Sequence, residues 1–190
     1  SGGKEGSITK KKTTANKRRR TRPVDRRFSR AFANYTPPAD LTVSEWAAEH
    51  RILSRESSAE AGPWRNERTP YMVEPMNAFN DPRVREISVV AMSQVGKSEV
   101  ELNIIGYIID QDPGSVLYIQ PNLDDAKKFS RLRIAPMIRD CDTLRTKVSE
   151  VRSRDAGNTV LQKTFPGGML TMVGSQSPSA LASTPARYVL

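Results

Sequence analysis

Eight consecutive residues, Ala91-Met92-Ser93-Gln94-Val95-Gly96-Lys97-Ser98, are of the types and in the order that hold a phosphate group. The general pattern is G-x-x-x-x-G-K-[ST], and alanine stands here at the first glycine. Gly96 lets the backbone wrap close to phosphate oxygens, and successive N–H groups at the start of a helix point towards the anion. Ser93, Gln94 and Val95 complete the loop around the phosphates. Lys97 brings a mobile charge to the β- and γ-phosphates, and the Ser98 hydroxyl can complete the shell of a Mg²⁺ ion. The cofactors this chemistry implies are ATP and Mg²⁺. The plain alternative is a polar turn ahead of an amphipathic helix.

What decides between the two is the surrounding pattern. Glu86-Ile87-Ser88-Val89-Val90-Ala91-Met92 is short and β-branched, as a buried parallel strand would be, and the glycine-bearing turn follows it directly. From Ser98 to Asp110, residues Val100, Ile104, Ile105 and Ile108 fall at helical spacing, and Asp112-Pro113-Gly114 ends the helix. Ser115 to Gln120 reads as a second apolar strand, and Pro121 to Asp125 leads into a helix carrying Ala126, Phe129, Leu132 and Met137. Strand, helix, strand, helix predicts a parallel sheet with right-handed crossovers. Residues 159–174 predict a hairpin turning at Pro166-Gly167-Gly168, residues 175–185 a Ser/Pro-rich turn, and residues 186–190 the beginning of a further strand.

Ahead of this core, Thr42 or Ser44 can cap a helix running through Ala47, Ala48 and Ile52, and Tyr71 to Phe79 predicts a short helix closed by Asp81-Pro82. Trp64, Tyr71 and Glu74 are candidates for base stacking or adenine recognition, with packing beside prolines as the alternative. Residues 1–30 hold twelve Lys and Arg against Glu5 and Asp25, a net +10 where the whole chain has +9, so the body is close to neutral. Such a run has little apolar surface to bury and reads as a disordered arm able to touch DNA phosphates without reading sequence, or as a plain flexible tail.

Other chemistries are poorly served. The one histidine, His50, lies in a polar helical context and the one cysteine, Cys141, has no partner for an internal disulfide. No stretch approaches the roughly 20 apolar residues that span a bilayer, so a cytoplasmic setting is expected. Asp124-Asp125 opens a helix, where carboxylates ordinarily cap N–H groups.

Several strings in order resemble the large subunit of lambda-type tailed-phage terminases, the motors that package viral DNA. They are Thr69 to Met76, Ser93 to Glu99, Tyr118 to Pro121, Ala126 to Arg133, Gly174 to Pro178 and Ala186 to Leu190, and the likeness runs from about Tyr35 to Leu190. The resemblance implies a three-layer αβα P-loop NTPase core of RecA-like type, incomplete at its C-terminal end. It divides the chain into a basic arm (1–30), a helical lead-in with the adenine-side segment (31–86) and the first part of the core (87–190). Members relax the first glycine of the loop as this sequence does.

The resemblance further implies an ATP-driven motor acting on double-stranded DNA, in a homo-oligomeric ring with a small terminase subunit and a portal protein, inside the bacterial host. The full-length protein would also cut concatemeric DNA. It suggests an arginine finger at Arg131 or Arg133, the alternative being a solvated helix face. The acidic Walker B pair and the nuclease domain would lie past Leu190, so the 190 residues alone are expected to bind ATP rather than turn it over efficiently. Rival readings are another P-loop ATPase, such as a helicase or kinase, and a DNA-binding remnant without catalysis.

Overall fold

In the computed structural model, residues 41–56, 58, 60–148 and 159–190 are described. The basic arm lies outside them. Helix α1 (Val43–His50) starts where Thr42 and Glu45 satisfy each other's backbone: Glu45 N–H donates to Thr42 Oγ1 at 3.4 Å, and Thr42 N–H to Glu45 Oε2 at 2.8 Å. This reciprocal cap settles Thr42 over Ser44 as the first residue. The chain then forms a two-residue antiparallel pair, β1 (Ile52–Leu53) with β2 (Gly62–Pro63). Two 3₁₀ turns, Asn66–Arg68 and Pro70–Met72, lead into α2 (Val73–Ala78).

The centre of the molecule is α3 (Lys97–Asp110), whose residues from Leu102 to Asp110 are all buried. A helix covered on every side needs small contacts somewhere, and Gly106 supplies one: a Cβ there would sit 2.2 Å from the Trp46 ring of α1. Trp46 is fully buried and its Nε1 donates to Asp110 Oδ2 at 2.9 Å, so one side chain fills the groove and satisfies a buried acid at once.

The sheet has the order β4-β5-β3-β6, built from β3 (Ser115–Gln120), β4 (Gln162–Phe165), β5 (Gly168–Gly174) and β6 (Tyr188–Val189). β5, β3 and β6 run parallel, with Val116 opposite Leu170 and Tyr188, while β4 is an antiparallel edge. Between β3 and β4 lie α4 (Leu123–Phe129), a π-helical turn (Ser130–Ile134), α5 (Ala135–Asp140) and α6 (Asp142–Lys147). α4 packs on the strands through Ala126 and through Phe129, whose ring stacks on Tyr118 at 4.7 Å. The expected second strand, its helix, the hairpin and the beginning of a last strand are all present.

Two expectations need correction. Residues 86–92 form no strand: they have no regular structure and no ladder partner among the described residues, with Val90 100% and Met92 79% exposed. β-Branched composition expresses a fit to a packed, pleated surface rather than a backbone force. Without a ladder partner among the described residues, the segment remains an irregular lead into the loop. The Ser/Pro-rich stretch also contains a short helix, α7 (Pro178–Ser183), where Pro178 at the first turn has no N–H to leave unsatisfied.

Candidate functional site

The loop at residues 91–98 runs directly into α3, with Gly96 as its N-cap at φ 95. That left-handed conformation is easy for glycine and costly for other residues. Gln94, at φ 60, is the one non-glycine described residue with positive φ. Ala91 has no such backbone, so a glycine is not required at the first position of the pattern. No side chain caps the helix start, which leaves the positive end of α3 facing the loop. Lys97 Nζ donates to the Ala91 carbonyl at 2.8 Å, and Ser98 beside it is exposed.

Gln94, Val95, Gly96 and Glu99 form one wall of a cleft of about 750 Å³, and Trp64, Arg68 and Tyr71 of the lead-in belong to its other wall. Tyr71 is 58% exposed and its hydroxyl donates to the Val95 carbonyl at 3.3 Å. Trp64 is buried, with Nε1 donating to Asn66 Oδ1 at 2.8 Å. Glu74 falls elsewhere: it lines a second cleft of about 440 Å³ with residues 87–91, and Tyr71 stands between the two. The structure therefore gathers Gln94, Val95, Gly96 and Tyr71 in one place and sets Glu74 apart.

Of the two candidate arginines, Arg131 is exposed in the π-helical turn, whereas Arg133 donates to Glu99 Oε1 at 3.1 Å. The other oxygen of Glu99 accepts from Arg51 at 2.9 Å, and Arg51 is only 2% exposed. Sequence reasoning missed both Glu99 and Arg51. Glu99 follows Ser98 directly, and its place in the first turn was a usable signal; Arg51 follows an exposed helix end and shows no periodicity that marks it as buried.

The remaining polar candidates have local partners. Asp124 pairs with Lys127 at 3.2 Å, and Asp125 N–H donates to the Asn122 cap at 2.8 Å. Arg187 pairs with Asp112 at 2.9 Å and lies 4.9 Å from the Tyr188 ring centre. His50 is near Glu49, 3.9 Å away, and against Trp46. No group of three potential metal ligands occurs among the described His, Cys, Asp and Glu residues.

An uncapped helix end behind a glycine in the left-handed region, with a lysine in the same loop, is a geometry suited to an anionic group. Residues 58–190 match the family described as phage terminase large subunit gpA, ATPase domain. The terminase large subunit of Escherichia phage lambda is 31% identical over 131 residues, covering 69% of this chain and 20% of the relative. The terminase large subunit of Enterobacteria phage P21 is 28% identical over 132 residues, covering 70% and 20%. The chain thus spans about a fifth of the length of these curated relatives, and no solved structure matches it. With the loop inside the matched region, the chain belongs to the family of phage terminase large subunit ATPase domains.

Proposed function

We propose that this chain provides the nucleotide-binding part of a DNA-packaging motor, on a three-layer αβα core of RecA-like type. The observation that carries the reading is the loop at the start of α3: Gly96 at φ 95, no side-chain cap, and Lys97 held within the loop. Lys97 exchanges the Ala91 carbonyl for phosphate oxygens when ATP binds, and the N–H groups at residues 93–97 surround the phosphates. Ser98 is the residue that would hold Mg²⁺, and the ion would supply positive charge to offset that of the phosphates. Tyr71 and the cleft beside it receive the nucleoside end.

In the complete protein this binding drives movement of double-stranded DNA in a ring of like subunits, together with a small subunit and a portal protein, in the cytoplasm of the bacterial host. Cutting of concatemeric DNA belongs to the same full-length protein. No described helix is long and apolar enough to cross a membrane. The basic segment at residues 1–30 adds contact with DNA phosphates; its removal is expected to weaken DNA binding and flatten its salt dependence.

Titration of ATP with Mg²⁺ into the full chain tests the central step. Lys97→Ala is expected to weaken affinity by about ten- to a hundredfold, the worth of one charge-assisted contact. Equal affinity of the altered and unaltered chains would reject the site.

A further inference from the structure

Glu99 is the third residue of α3, one position beyond the serine proposed to hold Mg²⁺, and it lines the same cleft as Gln94, Val95 and Gly96. A carboxylate in the first turn favours the helix field, but it also competes with any anion that uses that field. A polyphosphate arriving at the loop would meet a negative charge. The structure answers with two guanidiniums on one carboxylate: Arg51 Nη2 at 2.9 Å from Oε2 and Arg133 Nη1 at 3.1 Å from Oε1.

The two are not equivalent. Arg133 is 37% exposed, whereas Arg51 is 2% exposed and held by three further elements of geometry. Its Nε donates to Asn103 Oδ1 at 3.2 Å, its Nη1 to its neighbour's carbonyl at Ile52, and it sits at the C-terminal cap of α1. A planar fork with several acceptors is fixed in place, as an ammonium on a flexible stem would not be. The other acid that feels its charge, Asp140, has Arg139 as its own partner at 2.7 Å.

We propose that Arg51 is a positioning residue whose buried guanidinium, with Arg133, masks the Glu99 charge so that the loop can accept a polyphosphate. The inference rests on the phosphate-loop reading above and adds a determinant of ligand charge to it. Glu99 orients Arg51 and α1 against α3; Arg51 removes the electrostatic penalty that Glu99 would otherwise set against the ligand.

The test compares AMP, ADP and ATP without Mg²⁺, so that ligand charge rises along the series, in the full chain carrying Arg51→Gln, Arg133→Gln, Glu99→Gln or Arg51→Gln with Glu99→Gln. Arg51→Gln is expected to weaken ATP at least tenfold, ADP less and AMP least, with added salt narrowing the differences. The double variant is expected to recover ATP affinity to within about threefold of the unaltered chain. A structural role alone would lower all three nucleotides by one factor, and that result, or no recovery in the double variant, overturns the proposal. If Arg51→Gln does not fold, Arg133→Gln decides: a smaller loss with the same ordering supports masking, and an equal or absent loss rejects it. Lys97→Ala separates the two levels of inference. If the unaltered chain takes up no ATP, or Lys97→Ala takes it up equally well, the phosphate loop itself is wrong and the masking falls with it.

Discussion

Lys97 Nζ and the Ala91 carbonyl, 2.8 Å apart, tie the seventh position of the candidate phosphate loop to its first. Ala91 contributes its backbone oxygen and no special conformation, whereas Gly96 holds φ 95 with Met72 Cε 3.9 Å from where a Cβ would lie. Space is therefore available at Gly96, and the cost of a side chain there is one of backbone alone. Gly96→Ala is expected to lose about 1–2 kcal/mol of stability and roughly tenfold in ATP affinity. Ala91→Gly should leave affinity unchanged and lower stability by at most about 1 kcal/mol, through the added freedom of the unfolded chain. Denaturant unfolding with ATP titration checks both; a greater affinity loss at Ala91 than at Gly96 would reverse the assignment.

Gly106 faces a different constraint, because there the limit is contact. An added Cβ would meet Trp46 at 2.2 Å in fully buried surroundings, and Trp46 is also held by its bond to Asp110. Gly106→Ala normally benefits a helix by about 1 kcal/mol. The clash should override that gain and give a net loss of about 2–3 kcal/mol, read as a lower denaturant midpoint with an unchanged slope. A stabilised variant would show that α1 sits farther from α3 than the structure places it.

The contrast between these two glycines indicates what sequence can and cannot reveal. Gly96 was legible because its role is local: a motif fixes the turn, and the helix after it follows from Val100, Ile104, Ile105 and Ile108. β3 and the β4–β5 pair were legible for the same reason, through a short apolar run at 115–120 and a Pro-Gly-Gly turn between two strand-like runs. Gly106, Arg51 and Glu99 act across elements that are distant in the chain; no local pattern marks Gly106 or Arg51, and for Glu99 the first-turn position marks the residue but not its partners. Residues 86–92 went the other way: Ile87, Val89 and Val90 prefer a packed sheet, but a ladder partner is a property of the fold, and none is present among the described residues. The candidate loop was thus readable as a turn into a helix, and its charged surroundings were not.

Asp110 carries a pH signature. Burial pushes its carboxyl up, but hydrogen bonds from Lys147, Gln111 and Trp46 outweigh that and leave its pKa below the ordinary 3.8. A carboxylate with a depressed folded pKa contributes stability that is complete above its unfolded value and is lost as pH falls through the folded one. Asp110→Asn is therefore expected to cost about 1–3 kcal/mol at neutral pH, with the difference shrinking below pH about 4. Unfolding curves from pH 7 to pH 2 check this, and a difference that stays constant would assign the loss to packing rather than charge.

Lys163 is the opposite case. Alternation along β4 turns it inward with Phe165, opposite Leu170, and it is 6% exposed with its ammonium donating to the Thr159 carbonyl at 2.6 Å. Burial lowers its pKa below the ordinary 10.5, so the charged form is penalised in the folded state. The penalty is complete below the folded pKa and fades as pH rises towards 10.5, where the unfolded chain also loses its proton. Lys163→Met keeps the length of the stem and removes the charge. It is expected to raise stability by on the order of 1 kcal/mol at pH 7, with the gain falling as pH approaches 10.5. A loss at pH 7 would show that the ammonium's bond to Thr159 outweighs its desolvation, and that β4 depends on it.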